Sequence, residues 1–370
     1  MERTAFNPEL GHLEIQEKIL AAIRAGRLPH AFLFYGNEGS GKDALAIELA
    51  KLLNCQKGPL HVCQRCPACQ KIAHLQHPDV KFVFPIPGKK NVKVEEIIEN
   101  LAEKAANPFR RIGFHGKNSF IAIDTVRELK REAKFKLYEG KKKVFIISDA
   151  DQMQAPAANA LLKILEEPPD NLMLILTTSQ IHRILPTIRS RCQLVHFPLL
   201  EGDVILKIIH KYQPETPANL AGIIRLAAGN IKLAFDFMQD NILEKRDQAV
   251  EFLRKIVVIE KSQELIKMIE KITSDRDRRK MQLLLYFMLT WFRDVLHYHA
   301  KAAEKEPLIN ADIEENVGKF ARAYPNVDFP FIISTVENAY QELGDPRNLN
   351  PTLIFLNLSI KLYQLIRNQS

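Results

Sequence analysis

Three observations in this 370-residue chain predict an α/β fold, a parallel sheet covered by helices, followed by an all-α half. Short apolar strands and helical runs alternate through residues 1 to 198, and beyond Pro198 only helical spacing remains. The third observation is local. The strand Phe32 to Tyr35 runs into Gly36-Asn37-Glu38-Gly39-Ser40-Gly41-Lys42-Asp43, and a helix from Ala44 to Leu53 follows. In that order, the Gly-x-x-x-x-Gly-Lys frame offers backbone N–H groups and a lysine to phosphate oxygens.

Each further element has its own signal. Strands are expected at Val80 to Phe84, Val144 to Ile147, Leu172 to Thr177 and Gln193 to Phe197, because continuous apolar runs suit a sheet covered on both faces. Helices are expected at Thr125 to Phe135 and Ala157 to Glu167. In the second half Ile332, Val336, Ala339 and Leu343 recur three and four apart, one apolar helical face. A break between two helical units is expected near residues 242 to 248. The charge-free run Met281 to Phe292 falls short of the roughly 20 residues that span a membrane and reads as a buried helix.

Composition bounds the setting. With 46% hydrophobic and 26% charged residues the chain is ordinary globular material, long enough for two or three domains. A formal charge of +8 and a pI near 9.1 permit an anionic partner such as nucleic acid, although the basic residues are scattered. The run Lys141-Lys142-Lys143 reads as a solvated approach to a strand. The first thirty residues carry Glu2, Arg3, Glu9, Glu14, Glu17 and Lys18, which leaves no apolar core for a signal peptide; a cytoplasmic location is expected.

Four of the five cysteines, Cys55, Cys63, Cys66 and Cys69, fall within fifteen residues. Two overlapping C-x-x-C steps form a knuckle that aims thiolates at one tetrahedral ion, with Cys55 arriving from the preceding helix end. Structural Zn²⁺ suits this set. Four thiolates close the coordination sphere and leave no position for catalysis. Disulfides are disfavoured in a reducing cytoplasm, and a redox pair would leave the other cysteines idle. His61, His74 and His77 flank the cluster and read as solvated.

The phosphate loop departs from its pattern at its last residue. The position after Lys42 ordinarily carries a hydroxyl for Mg²⁺, and here it is Asp43, a carboxylate beside the phosphates. Val144-Phe145-Ile146-Ile147-Ser148-Asp149-Ala150-Asp151 has the form of a second phosphate-site strand, in which Asp149 would hold Mg²⁺ and the next residue, a glutamate, would activate water. That residue is Ala150. Asp151 points to the opposite face of an extended chain and does not replace it.

Ala158-Asn159-Ala160-Leu161-Leu162-Lys163-Ile164-Leu165-Glu166-Glu167-Pro168-Pro169, followed by Ile188-Arg189-Ser190-Arg191-Cys192, closely resembles the clamp-loader branch of the AAA+ ATPases. Within that branch residues 5 to 240 look most like the delta-prime family of bacterial DNA polymerase III, including Leu28-Pro29-His30-Ala31-Phe32 and Ile123-Asp124-Thr125-Val126-Arg127-Glu128-Leu129. The resemblance implies a AAA+ P-loop domain at 1–198 with a four-cysteine zinc module at 55–69, a small helical lid at 199–245, and an all-α collar at 246–370 that joins subunits in a ring. It also implies partners: gamma/tau-like and delta-like subunits, a sliding clamp, and primed DNA reached through the complex.

Site roles follow from the same resemblance. Arg191 corresponds to an arginine finger that enters a neighbouring subunit's ATP site. Thr177 and Thr178 end the strand where a γ-phosphate sensor is kept. Gly229-Asn230-Ile231-Lys232-Leu233-Ala234 matches the second sensor with Lys232 for the usual arginine, which keeps the charge and loses the bidentate fork. The candidate nucleotide-binding set is Gly36, Gly39, Ser40, Gly41, Lys42, Asp43, Asp149, Thr178 and Lys232. The changes at Asp43, Ala150 and Lys232 argue against intrinsic ATP hydrolysis, while the intact glycine frame leaves ATP or ADP as a passively held ligand. The expected function is a stator that donates Arg191 in trans during clamp loading. Two alternatives stand beside it: an active gamma/tau-like motor subunit, favoured by Lys42, and a zinc-dependent nucleic-acid binder, disfavoured because Lys57, Arg65 and Lys71 near the cysteines have no aromatic among them. The insertion at 85–119, with an amphipathic helix carrying Val94, Ile97, Ile98, Leu101 and Ala105 before Asn107-Pro108-Phe109-Arg110-Arg111, reads as a solvated elaboration.

Overall fold

A computed structural model describes residues 6–58, 60–88, 92–110, 112–114, 117–239, 242–258, 262–300, 308–345 and 347–367. The chain divides into two compact units, Met1–Pro217 with Gly229–Asp236, and Ala218–Ala228 with Phe237–Ser370.

The first unit begins with α1 (Leu13–Arg24) and is built on five parallel strands in the order β2 (Val80–Val83), β5 (Lys143–Ile147), β6 (Leu172–Thr178), β1 (Ala31–Tyr35), β7 (Gln193–His196). All five are legible as apolar runs. The three central strands are buried almost throughout because helices cover both faces. On one face α5 (Ile123–Ala133) and α6 (Ala155–Glu166) bury Val126, Leu129, Leu161 and Ile164 against Leu33, Phe145 and Leu174. α2 (Lys42–Asn54) packs on β5 and β6, and α3 (Pro67–Ala73) packs on α2. Helix α6 stops where Pro168 and Pro169 remove the next donors, and the short α7 (Pro186–Arg189) leads into β7. The parallel P-loop sheet expected from the motifs is therefore present, with the glycine loop between β1 and α2.

One residue of the basic run and one histidine depart from the sequence reading. Lys143 is buried, its ammonium donating to the carbonyls of Glu132 at 2.7 Å and Phe135 at 2.8 Å, and the Lys141 and Lys142 N–H groups both donate to Asn54 Oδ1. Lys143 thus caps the end of α5 while Lys141 stays exposed, since carbonyls left over at a helix end attract a cation. His77 is likewise buried, its Nδ1 accepting the Asp79 N–H.

The insertion is ordered where it is described; Lys89, Lys90 and Arg111 lie outside the described residues. Ile86–Pro87 (β3) pairs antiparallel with Ser119–Phe120 (β4), and α4 spans Val94–Ala106. Its expected apolar face is covered only in part: Ile97, Leu101 and Ala105 are half-buried beside Lys104. Val94 and Ile98 are exposed, and the only residue α4 buries is Lys104.

The stretch 199–245 contains α8 (Gly202–Tyr212), α9 (Leu220–Ala227) and α10 (Ile231–Gln239). Helix α8 and the start of α10 belong to the first unit and α9 to the second. The break expected at 242 to 248 is instead the first turns of α11 (Ile242–Val257). Ile242, Arg246 and Ala249 are buried at helical spacing, so burial of that stripe overrides the polar composition that suggests a break.

In the second unit α13 (Arg278–His299) is the central helix, and the Met281 to Phe292 run lies inside it as expected. Asp277 caps it by accepting the N–H groups of Arg279 and Lys280. Around it pack α11, α14 (Glu314–Ala323) and α15 (Phe329–Leu343). Ile332, Val336, Ala339 and Leu343 are all buried on α15, while α12 (Ser262–Thr273) and α16 (Pro351–Arg367) complete the bundle. Among the described residues no helix is long and apolar enough to cross a membrane.

Leu174 is fully buried in the central strand and Leu194 is 41% exposed on the edge strand. In denaturant unfolding, Leu174→Ala is expected to cost about 2–5 kcal/mol, against less than about 1 kcal/mol for Leu194→Ala.

Candidate functional site

The glycine loop has the conformation of a phosphate cradle. Gly39 and Gly41 sit at φ +72° and +83°, where an L side chain is strained, and a Cβ on Gly39 would lie 1.6 Å from Asn230 Oδ1. Asn230 is held there because Ile231 N–H donates to the Gly39 carbonyl at 3.0 Å. On the other side His12 Nε2 lies 2.6 Å from the Ser40 carbonyl, so this ring nitrogen carries the proton. Burial holds the His12 imidazole below its ordinary range and keeps it neutral.

Lys42 folds back onto its own loop. Its ammonium donates to the Gly36 carbonyl at 2.7 Å, the Asn37 carbonyl at 2.7 Å and Ser40 Oγ at 3.1 Å, which uses all three of its donors. Burial, with Lys232 nearby, lowers its pKa to about 8 against the opposing pull of Asp43, Asp149 and Glu38.

Asp43 is buried in a closed network. Its carboxylate accepts from Lys104 Nζ at 2.8 Å, from Ser148 Oγ at 3.0 Å and from Thr177 Oγ1 at 2.8 Å. Burial alone would raise its pKa, but the Lys104 and Lys232 ammonium groups and the hydrogen bonds outweigh burial and hold the carboxyl well below its usual range. Burial pushes Asp149 the other way, and Asp43 adds to that shift. Asp149 sits in left-handed backbone at φ 49°, its N–H 3.4 Å from Thr177 Oγ1.

Of the nucleotide-binding set, Gly39, Ser40, Gly41, Lys42, Asp43, Asp149 and Lys232 line one cavity. Gly36 and Thr178 do not; Thr178 Oγ1 donates instead to Asp151 at 2.5 Å, and it is Thr177 that faces the cavity. Strand alternation decides this, since adjacent residues point to opposite faces. Lys104 and Phe109 also line the cavity and are absent from the set the sequence suggests. A signal for them does exist: a lysine at the end of an otherwise amphipathic helix, three residues before Asn107-Pro108-Phe109.

Arg191 lies apart from the cavity. Its guanidinium is about one-third exposed, with Nη2 3.0 Å from Glu166 Oε1 and Nη1 donating to the Thr187 carbonyl at 3.0 Å. Ala150 is buried and supplies no polar group.

The four cysteines converge as expected. Cys55 follows the last residue of α2, Cys66 caps α3, and the four sulfur atoms lie within 4.8 Å of one another. The Cys66 N–H points at Cys63 Sγ at 3.3 Å and the Cys69 N–H at Cys66 Sγ at 3.5 Å, donors that stabilise thiolates. Burial and the neighbouring Cys66 and Cys55 sulfurs push the Cys69 thiol up, a shift that a divalent cation would reverse. This donor set fits a metal ion. Cys192 is separate, a core thiol that burial raises to about 12.

A glycine phosphate loop between β1 and α2 of a parallel sheet, with Asp149 two residues beyond the end of β5, defines a P-loop α/β fold. The chain matches the family model described as DNA polymerase III, delta subunit, over residues 11–201, and the model for the C-terminal part of the same subunit over residues 242–364. It belongs to the DNA polymerase III delta-subunit family. It is similar to DNA polymerase III subunit delta' of Bacillus subtilis, 28% identical over 314 residues, covering 83% of this chain and 84% of that protein. Subunit delta' of Escherichia coli is 26% identical over 94% of this chain and 92% of its own length. Subunit tau of Bacillus subtilis is 25% identical over 91% of this chain, which spans only 58% of tau.

Asp43→Asn leaves the Lys104 charge buried without its counter-ion and is expected to cost about 3–5 kcal/mol near neutral pH. Because the folded-state pKa of Asp43 is depressed, its stabilisation is present above the unfolded value near 4 and is lost as pH falls below it. The stability gap between wild type and variant, measured by urea unfolding, should therefore narrow as pH drops below about 4.

Proposed function

We propose that this chain is the delta-prime-like subunit of a DNA polymerase III clamp loader, a stator that supports ATP-driven loading of a sliding clamp onto primed DNA without hydrolysing ATP itself. One observation carries the reading: the chain parallels two delta' subunits over most of their length. Ala150 offers no group to orient or deprotonate water, and Asp43 offers phosphate a negative charge. The chain's contribution to chemistry is then Arg191. Exposed and held by Glu166, it would enter an adjacent subunit's site and stabilise charge developing on the γ-phosphate. Partners on this reading are gamma/tau-like and delta-like subunits, the clamp, and primed DNA through the complex, all in the cytoplasm. Residues 246–370 would serve as the collar that joins them and 199–245 as the lid.

The similarity to tau supports a second reading, an active motor subunit, for which the intact Lys42 is the relevant residue. ATP hydrolysis by the purified chain, compared with Lys42→Ala, separates the two: a rate that Lys42→Ala abolishes establishes the motor.

In the reconstituted complex Arg191→Ala is expected to lower ATPase turnover by about tenfold or more with assembly unchanged, since such groups contribute about 10³- to 10⁵-fold in related sites. Unchanged turnover removes the arginine-finger role. The cysteine cluster is assigned structural Zn²⁺. Cys63→Ser is expected to lose the metal, read by elemental analysis, and to lower the melting temperature by several degrees, on the order of what losing about 2 kcal/mol does.

A further inference from the structure

The sequence reads the insertion as a solvated elaboration, but its best-buried side chain reaches the centre of the phosphate site. Lys104 is 1% exposed, and its ammonium donates to Asp43 Oδ2 at 2.8 Å and to the Arg110 carbonyl at 3.0 Å, with the Phe82 ring centroid 5.8 Å away. In a working phosphate loop the hydroxyl after the lysine and the aspartate at the end of the second strand hold Mg²⁺. Here those positions are Asp43 and Asp149; burial pulls the Lys104 pKa down, and the Asp43 carboxylate, with Asp149 behind it, opposes that shift in favour of the ammonium. We propose that Lys104 is the resident cation of this site, an ammonium in the place of the metal, and that residues 94–110 are a plug that closes the loop to nucleoside triphosphates.

Three further observations bear on the plug. The turn that follows α4 fixes itself: Asn107 is buried and its Oδ1 accepts the Phe109 N–H at 3.0 Å, while the Arg110 N–H donates to the Asn107 carbonyl. This places the buried Phe109 ring over Gly41, where a Cβ would lie 3.3 Å from Phe109 Cε1, and edge-on to Tyr212. Lys104, Pro108 and Phe109 line the cavity directly beside the loop residues Gly39 to Asp43, so insertion side chains occupy the face that the loop turns toward its cavity. Lys42, which would otherwise reach the phosphates, has all three donors engaged by the loop. Asp43 and Lys104 thus depend on each other: a carboxylate at this position suits an ammonium and repels phosphate, and the ammonium is tolerated in the interior only because that carboxylate faces it.

The test uses the full chain, with Mg²⁺–ATP and a fluorescent ATP analogue as probes and thermal melting as the stability readout. Wild type is expected to show no saturable binding and no melting shift. Asp43→Thr combined with Lys104→Met, alone or with Phe109→Ala, is expected to gain Mg²⁺-dependent binding at least about tenfold tighter than wild type, with a matching rise in melting temperature. The two single substitutions are expected to be less stable than the double, because each leaves one buried charge alone. Wild type binding Mg²⁺–ATP as tightly as the double variant overturns the proposal, as do folded double and triple variants that both ignore it. A double variant less stable than either single also overturns it. None of these readouts involves Arg191 or a second subunit, so failure here leaves the arginine-finger reading standing.

Discussion

The contact on which the first unit's site depends is the buried ion pair between Lys104 and Asp43. Removing either ion from water is costly, and the pair persists because Ser148 and Thr177 satisfy the carboxylate and the Arg110 carbonyl satisfies the ammonium. Those partners come from the end of β5, from β6, from α2 and from the insertion, so one carboxylate ties together segments distant in the chain. The network also sets what the glycine loop encloses. Beside that pair Lys42 turns inward, and the loop encloses its own lysine through three hydrogen bonds.

That arrangement divides the chemistry between the ends of the molecule's own motif set. On the proposed reading the metal, water and sensing positions fall at Asp43, Ala150 and Lys232, none of which carries the usual group, whereas Arg191 and Glu166 in the later motifs keep theirs and reach solvent. Whatever the fate of its own phosphate site, the chain presents a guanidinium whose orientation is held on one side by Glu166 and on the other by the Thr187 carbonyl. The cysteine cluster, closed by four thiols, is consistent with support for the end of α2 rather than with chemistry.

Much of this is legible in the residues. Each sheet strand announces itself as an apolar run, α6 stops at its two prolines, and the cysteine spacing brings four sulfurs together. The departures share a cause. The insertion helix half-buries Ile97, Leu101 and Ala105 and leaves Val94 and Ile98 exposed, and its one fully buried side chain is Lys104, because the interior it reaches offers that ammonium the Asp43 carboxylate. Thr177 rather than Thr178 faces the site because the register of β6 against β1, pairing Phe34 with Thr177, is fixed by the sheet and not by composition. Lys143 is buried since the end of α5 lies above it.

The sequence by itself determined the strands, the helices, the phosphate-loop frame, the metal-ligand spacing and the family, since each rests on periodicity or on residues close together in the chain. Only the tertiary structure decided that the loop is filled. Asp43 and Lys104 stand 61 residues apart, and no local pattern pairs them. Their partnership exists because the fold brings both into a low-dielectric interior where neither charge is tolerated without the other.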